Sequence, residues 1–210
     1  MNKIFLFFLP WLFLITGTPS AGQILSSAKD TLILMNGQKV GGDVLDTVYQ
    51  SVKLKYIKKN GKEKTILVEN DLIFSIVYRT GREKIIYGQD TAAGNYFTAD
   101  DTRLFIYGER DAEKHFHSPV ITAASIAIGV GSGYIGSFLS LVPPFAFSGL
   151  MLIPKIKIRY KTVSTPEYLN FDTYVMGYEK VARRKQLFRS LVGGIGGLMA
   201  GLYTFQVLFP

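Results

Sequence analysis

Few residues in this 210-residue chain have types and spacings that could do chemistry. His115 and His117 stand two apart and are its only histidines, so they supply at most half of a metal site, and no carboxylate elsewhere completes the set. Asp100, Asp101 and Asp111 are the one local group of carboxylates, but no nucleophile or general base is marked beside them. A helix cap and a solvated face explain them as well. There is no cysteine, which excludes disulfides, thiolate zinc sites, cysteine nucleophiles and a lipid-modified cysteine. No G-x-x-x-x-G-K-[ST], G-x-S-x-G or H-E-x-x-H pattern occurs. The expectation is a protein that is not an enzyme, with no catalytic residue, no cofactor and no metal ligand to name.

Basic residues outnumber acidic ones, 24 to 16, for a net charge of +8. Their distribution decides what that means. Residues 22–117 carry 14 Lys and Arg against 13 Asp and Glu, whereas residues 155–189 carry 9 against 3. Lys53, Lys55, Lys58, Lys59, Lys62 and Lys64 gather round one hairpin of the nearly neutral stretch. Nucleic acid is not expected as a partner there, although that hairpin could touch anionic lipid or polymer. The excess in 155–189 lies between two apolar blocks, where it reads as a topology determinant. Arg183, Arg184 and Lys185, just before the second block, are topology anchors or lipid-headgroup contacts.

The elements that must position these residues fall into six segments. Residues 1–22 have the parts of a signal peptide: Lys3, an apolar run from Ile4 to Ile15, and small residues up to Gly22. Residues 23–99 read as an extracytoplasmic β domain. Asn36-Gly37 and Asn60-Gly61, flanked by alternating residues, predict hairpins, the first with a type I′ turn. Gly41-Gly42 predicts a bulge or sharp bend in a strand over 39–48. Five or six short bent strands suit a small SH3-like or Sm-like barrel, with a plain meander as the alternative. Residues 100–118 read as an amphipathic juxtamembrane helix capped by Asp100 or Asp101.

Val120 to Val142 has no charge and is long enough to span a bilayer, so 119–154 is a first transmembrane segment with a break at Pro143-Pro144. Residues 155–189 form a basic cytoplasmic loop with a helix, and 190–210 a second transmembrane segment. Gly129, Gly133 and Gly136 in the first span and Gly193, Gly197 and Gly201 in the second are spaced to let helices approach closely, within one chain or between copies. The fold class expected is an α+β membrane protein: a small all-β domain followed by a two-helix, Gly-rich transmembrane hairpin. The basic loop would face the cytoplasm and the β domain the periplasm, in a bacterial cell membrane, with the inner membrane favoured.

Tyr107-Gly-Glu-Arg-Asp-Ala before the first span and Gly177-Tyr-Glu-Lys-Val-Ala-Arg-Arg-Lys before the second resemble motifs of a family of uncharacterised two-span envelope proteins of Gram-negative bacteria. Gly108, Asp111 and Ala112 match its G-x-x-D-A helix; Gly177, Tyr178, Ala182, Arg183 and Lys185 match its second helix. The aromatic pair that often follows the first motif is reduced to Phe116. The resemblance implies architecture over about residues 104–205 and carries no activity. The function expected is a non-enzymatic membrane-anchored envelope protein whose β domain binds a partner or serves assembly, in contact with membrane lipid and with a protein partner or further copies of itself. A small oligomeric channel or transporter component is the rival, and an enzyme acting on envelope lipid or glycan is a third reading.

Overall fold

The computed structural model describes residues 29–208 apart from 49, 59 and 93. The signal peptide expected over 1–22 lies outside the described residues. The chain is α+β and forms two compact units that divide after Ile86, with the short stretch 35–37 grouped with the second.

The first unit is an antiparallel sheet of β1 (Asp30–Leu34), β2 (Lys39–Val48), β3 (Ser51–Ile57), β4 (Glu63–Glu69), β5 (Ile73–Val77) and β6 (Glu83–Ile85), in the order β4-β3-β2-β1-β5-β6. Among the described residues it is open, because β4 pairs only with β3 and β6 only with β5. It is therefore neither the closed barrel nor the plain meander expected, since β5 returns to the far side of β1. Alternation puts Leu32, Val52, Leu54 and Ile76 on one buried face, and a register shift opposite Ile33 and Leu34 brings Ile73 to it as well. The Asp30 carboxylate accepts from the amides of Val44 and Arg79 at 3.2 and 2.9 Å, tying β1 to both neighbours.

The hairpins form where expected but with another turn. Leu34, Lys58 and Tyr78 each donate their amide to the carbonyl four residues on, which closes three-residue loops. Gly37, Gly61 and Gly81 have φ near +80°, and among the described residues no non-glycine has positive φ. A type I′ turn needs two such residues; a three-residue loop needs one, at the glycine. The bulge in β2 falls between Val44 and Asp46, not at Gly41-Gly42. Gly42 stands where β2 passes from β1 to β3, and a Cβ there would meet Leu54 and the Lys55 carbonyl.

The second unit is helical: α1 (Ala99–His115), α2 (Pro119–Gly133), α3 (Val142–Leu150) and α4 (Asp172–Leu208). Thr98, not Asp100 or Asp101, caps α1; its hydroxyl oxygen accepts from the Asp101 amide and its hydroxyl donates to the Asp101 carboxylate. α4 has 37 residues and is long and apolar enough to cross a membrane, whereas α2 and the helical stretch 138–150 are shorter. The helix expected over Val120–Val142 stops at Gly133. Gly136 takes φ +64° in the turn that follows, and the proline pair sits in the first turn of α3, where its missing amides cost nothing.

The direction of the helices corrects the expected hairpin. Phe105 lies against Gly177, Glu109 pairs with Lys180, Lys185 reaches the Ala112 carbonyl, Ser125 lies against Gly193, and Thr204 bonds Tyr134. Partner numbers rise together, so α1 and α2 both run parallel to α4. The antiparallel partner is α3: Pro144 meets Gly194, and Gln186 donates to the Met151 carbonyl at 2.9 Å. Residues 155–163 continue downward from α3 and reach α1, where Ser164 bonds Asp111. Residues 155–189 and α1 therefore lie at the same end of this unit. The arrangement expected, with a bilayer between the juxtamembrane helix and the basic loop, does not survive these hydrogen bonds.

Candidate functional site

The two motifs behind the family resemblance meet each other. A Cβ on Gly108 would lie 2.8 Å from the Tyr178 amide and nearer still to the Tyr174 carbonyl; one on Gly177 would meet the Phe105 backbone. Each glycine thus admits the other helix's backbone. Ala112 is buried with Tyr178, Val181 and Ala182.

Asp111, 1% exposed, is the hub of this contact. Its carboxyl accepts from the Ser164 amide at 2.8 Å, the Ser164 hydroxyl at 2.5 Å and the Tyr174 hydroxyl at 2.7 Å. Burial first, and the bond to Asp111 second, push the Tyr174 phenol well above the ordinary tyrosine range. Tyr178, raised by burial, donates to the Thr162 hydroxyl at 2.8 Å. Asp111 is thus absorbed by donors that hold residues 162–164 against α1. The hub positions Ser164 and Tyr174 against α1.

A second seam of small residues joins α2 to α4. Cβ atoms on Gly129 and Gly133 would lie 2.8 and 2.6 Å from the amides of Leu198 and Leu202. Those on Gly197 and Gly201 would meet Ile126 and Val130, and one on Gly193 would meet the Ser125 hydroxyl. The structure thus brings five of the six singled-out glycines into one intramolecular contact. Gly136 stands apart in the turn, near the Phe205 ring.

Arg183 and Lys185 are turned toward protein. Arg183 bridges the Leu152 and Pro154 carbonyls and pairs with Glu179 at 3.0 Å. Lys185 donates to the Ala112 and Glu113 carbonyls at the end of α1, where cations suit the helix dipole. Its ammonium is pushed below the ordinary lysine value, by burial first and against the pull of Glu113. Arg184 is the exposed one of the three, 3.5 Å from Glu113.

A cavity of about 490 Å³ lies where α1 gives way to α2 and α3 to the basic stretch. Its lining includes His115, His117, Lys155, Lys157 and Arg159, and no acidic side chain. Phe116, Val120, Ile121, Met151 and Ile156 make its apolar walls. The basic wall has a simple local cause. Through residues 155–159 burial alternates: Ile156 and Ile158 pack inward against Ala112 and Tyr178 while Lys155, Lys157 and Arg159 are exposed. Period-two alternation in Lys-Ile-Lys-Ile-Arg was the sequence signal for it; read as net charge alone, the segment showed only a loop. His115 and His117 do come together with these cations, and among the described residues no three His, Asp or Glu side chains converge as metal ligands do. No family model, curated protein or solved structure matches this chain.

Proposed function

We propose that this is a non-enzymatic membrane protein of the cell envelope, in which the helical unit inserts one end into a bilayer and the sheet serves as a partner-binding or assembly module. The observation that carries the reading is segregation. All Asp, Glu, Lys and Arg of α1 through α4 lie in α1, in 155–171 or in the first half of α4; residues 116–154 and 190–208 have none. That uncharged end exposes large apolar side chains: Phe138 is 84% exposed, Val120 79% and Leu208 63%. Such a surface marks a membrane or protein contact. The uncharged part of α4, 190–208, rises about 28 Å, close to the thickness of a hydrocarbon core, while α2 at about 22 Å falls short. The reading is thus one span with a re-entrant α2–α3 hairpin beside it, and α1 with the basic segment on one face of the bilayer. A leader at 1–22 would make that face the periplasmic one.

Support for the sheet as a docking module comes from its two edges and the exposed Leu67, Leu72 and Ile85 on or beside them, which suit strand addition. The channel reading gains nothing from the apolar end. Ser125, Ser132, Ser148 and Ser190 spend their hydroxyls on carbonyls of their own helices. The test is fractionation followed by in-cell cross-linking from the sheet. Retention in membranes through carbonate washing, with a discrete adduct from a photoreactive residue at Leu67, is expected; release by carbonate would contradict insertion.

A further inference from the structure

We propose that the basic cavity between α1, α2 and residues 151–162 is a binding site for the phosphate headgroup of an anionic phospholipid. This rests on the membrane reading above and adds a specific ligand to it.

Three independent features converge on the cavity. Its charged lining is one-signed: Lys155, Lys157 and Arg159 stand on one wall and His115 and His117 on the other, with no carboxylate between them. Among the described residues none of the three cations pairs with a carboxylate, in contrast to Lys180, Arg183 and Arg184 nearby. Second, Ser118, which lines the cavity and precedes α2, is 7% exposed, and among the described residues its hydroxyl has no hydrogen-bond partner. It makes no side-chain cap on α2, whose first residue, Pro119, has no amide and whose next two amides, those of Val120 and Ile121, have no acceptor within the helix. A buried hydroxyl without a partner is costly, and an oxyanion at this helix start would satisfy it together with those amides. Third, the cavity lies on the boundary between the charged and uncharged ends, so it takes lining from both. A headgroup phosphate would meet the cations and Ser118, while acyl chains would continue along Val120, Ile121 and Met151 toward the apolar end. A soluble phosphate would use only the first half of that lining.

The occupant is thus a lipid with a net negative phosphodiester, such as phosphatidylglycerol, in preference to a zwitterionic one. The three cations are exposed and, among the described residues, free of ion pairs, so replacing them leaves the packed seams intact. The full chain would be reconstituted in nanodiscs of phosphatidylcholine with a minor fraction of phosphatidylglycerol, extracted in mild detergent, and its retained lipid counted by native mass spectrometry. Wild type should retain phosphatidylglycerol selectively. Lys155→Gln/Lys157→Gln/Arg159→Gln should lower that retention by on the order of a hundredfold, each cation near an anionic surface contributing about a fivefold factor. Ser118→Ala should lower it with no change in charge. Equal retention of the two lipids, or unchanged retention in the triple variant, overturns the proposal. So does displacement by millimolar inorganic phosphate with no lipid preference, which would assign the cavity to a soluble phosphate. Failure of the underlying membrane reading is distinct: the chain would not enter nanodiscs at all.

Discussion

Gly196 and Gly197 are neighbours on α4, equal in composition and hydropathy, and the structure gives them opposite fates. A Cβ on Gly196 meets nothing within 4 Å, whereas one on Gly197 comes within 3.0 Å of the Val130 amide and closer to the Ile126 carbonyl. Backbone cannot swing aside as a side chain can, so Gly197→Ala must part α2 from α4 by about 0.5–1 Å, a gap that forfeits a quarter to a half of each dispersion contact it opens. Overpacking of this kind costs about 1–3 kcal/mol. Both alanines gain about 1 kcal/mol of helix propensity. The expected outcome is Gly196→Ala neutral or slightly stabilising and Gly197→Ala less stable than it by about 2 kcal/mol, a factor of roughly thirty in the folding equilibrium. Circular dichroism during SDS titration of the protein in mild detergent reads this directly. Equal midpoints for the two variants, or the reverse order, would refute the packing of α2 against α4 described above.

Three further outcomes follow from the same geometry. Asp111→Asn, which keeps the shape but turns an amide on donors that need an acceptor, should destabilise the helical unit by about 2–3 kcal/mol in the same titration. The Tyr174 phenol has a folded-state pKa raised above the ordinary 10.0, so the stability it contributes is complete below that value and is lost as pH rises past it. Wild type should therefore lose stability relative to Tyr174→Phe between about pH 9.5 and 11; the comparison is needed because burial shifts Tyr178 the same way and Lys185 the opposite way. Ser125→Cys combined with Gly193→Cys should close an intramolecular disulfide in this cysteine-free chain on mild oxidation, while Ser140→Cys with Gly193→Cys should not; the reverse pattern would restore an antiparallel pairing of the two Gly-rich segments.

Local structure was legible in the residues. The strand over 39–48 is observed with those bounds, and the helix expected over 100–118 runs 99–115. Alternation and Asn-Gly pairs are short-range signals, and they reported short-range structure. The turn type was missed because Asn-Gly is compatible with one positive φ or two, and the choice depends on loop length. The path of the apolar segments was not legible, because hydropathy gives the length of a block but not its direction beside another. Pro143-Pro144 fits the end of one helix as well as the start of the next. Asp111 could not be told from a surface aspartate by its neighbours, since its donors stand 53 and 63 residues away in sequence. The positive-inside rule and the leader agreed only while α1 and the basic segment were placed on opposite sides; once Asp111 and Ser164 are bonded, those two signals conflict.

That conflict makes sidedness the most direct test of the account. Single cysteines at Asp100 in α1, Glu167 in the basic segment and Leu208 at the end of α4 would be probed in cells with a membrane-impermeant maleimide, applied first from outside and then after lysis. Positions 100 and 167 should label from the same side, and 208 should not label with them. Labelling of 100 and 208 together, with 167 on the other side, would contradict the parallel helical unit and restore a two-span hairpin.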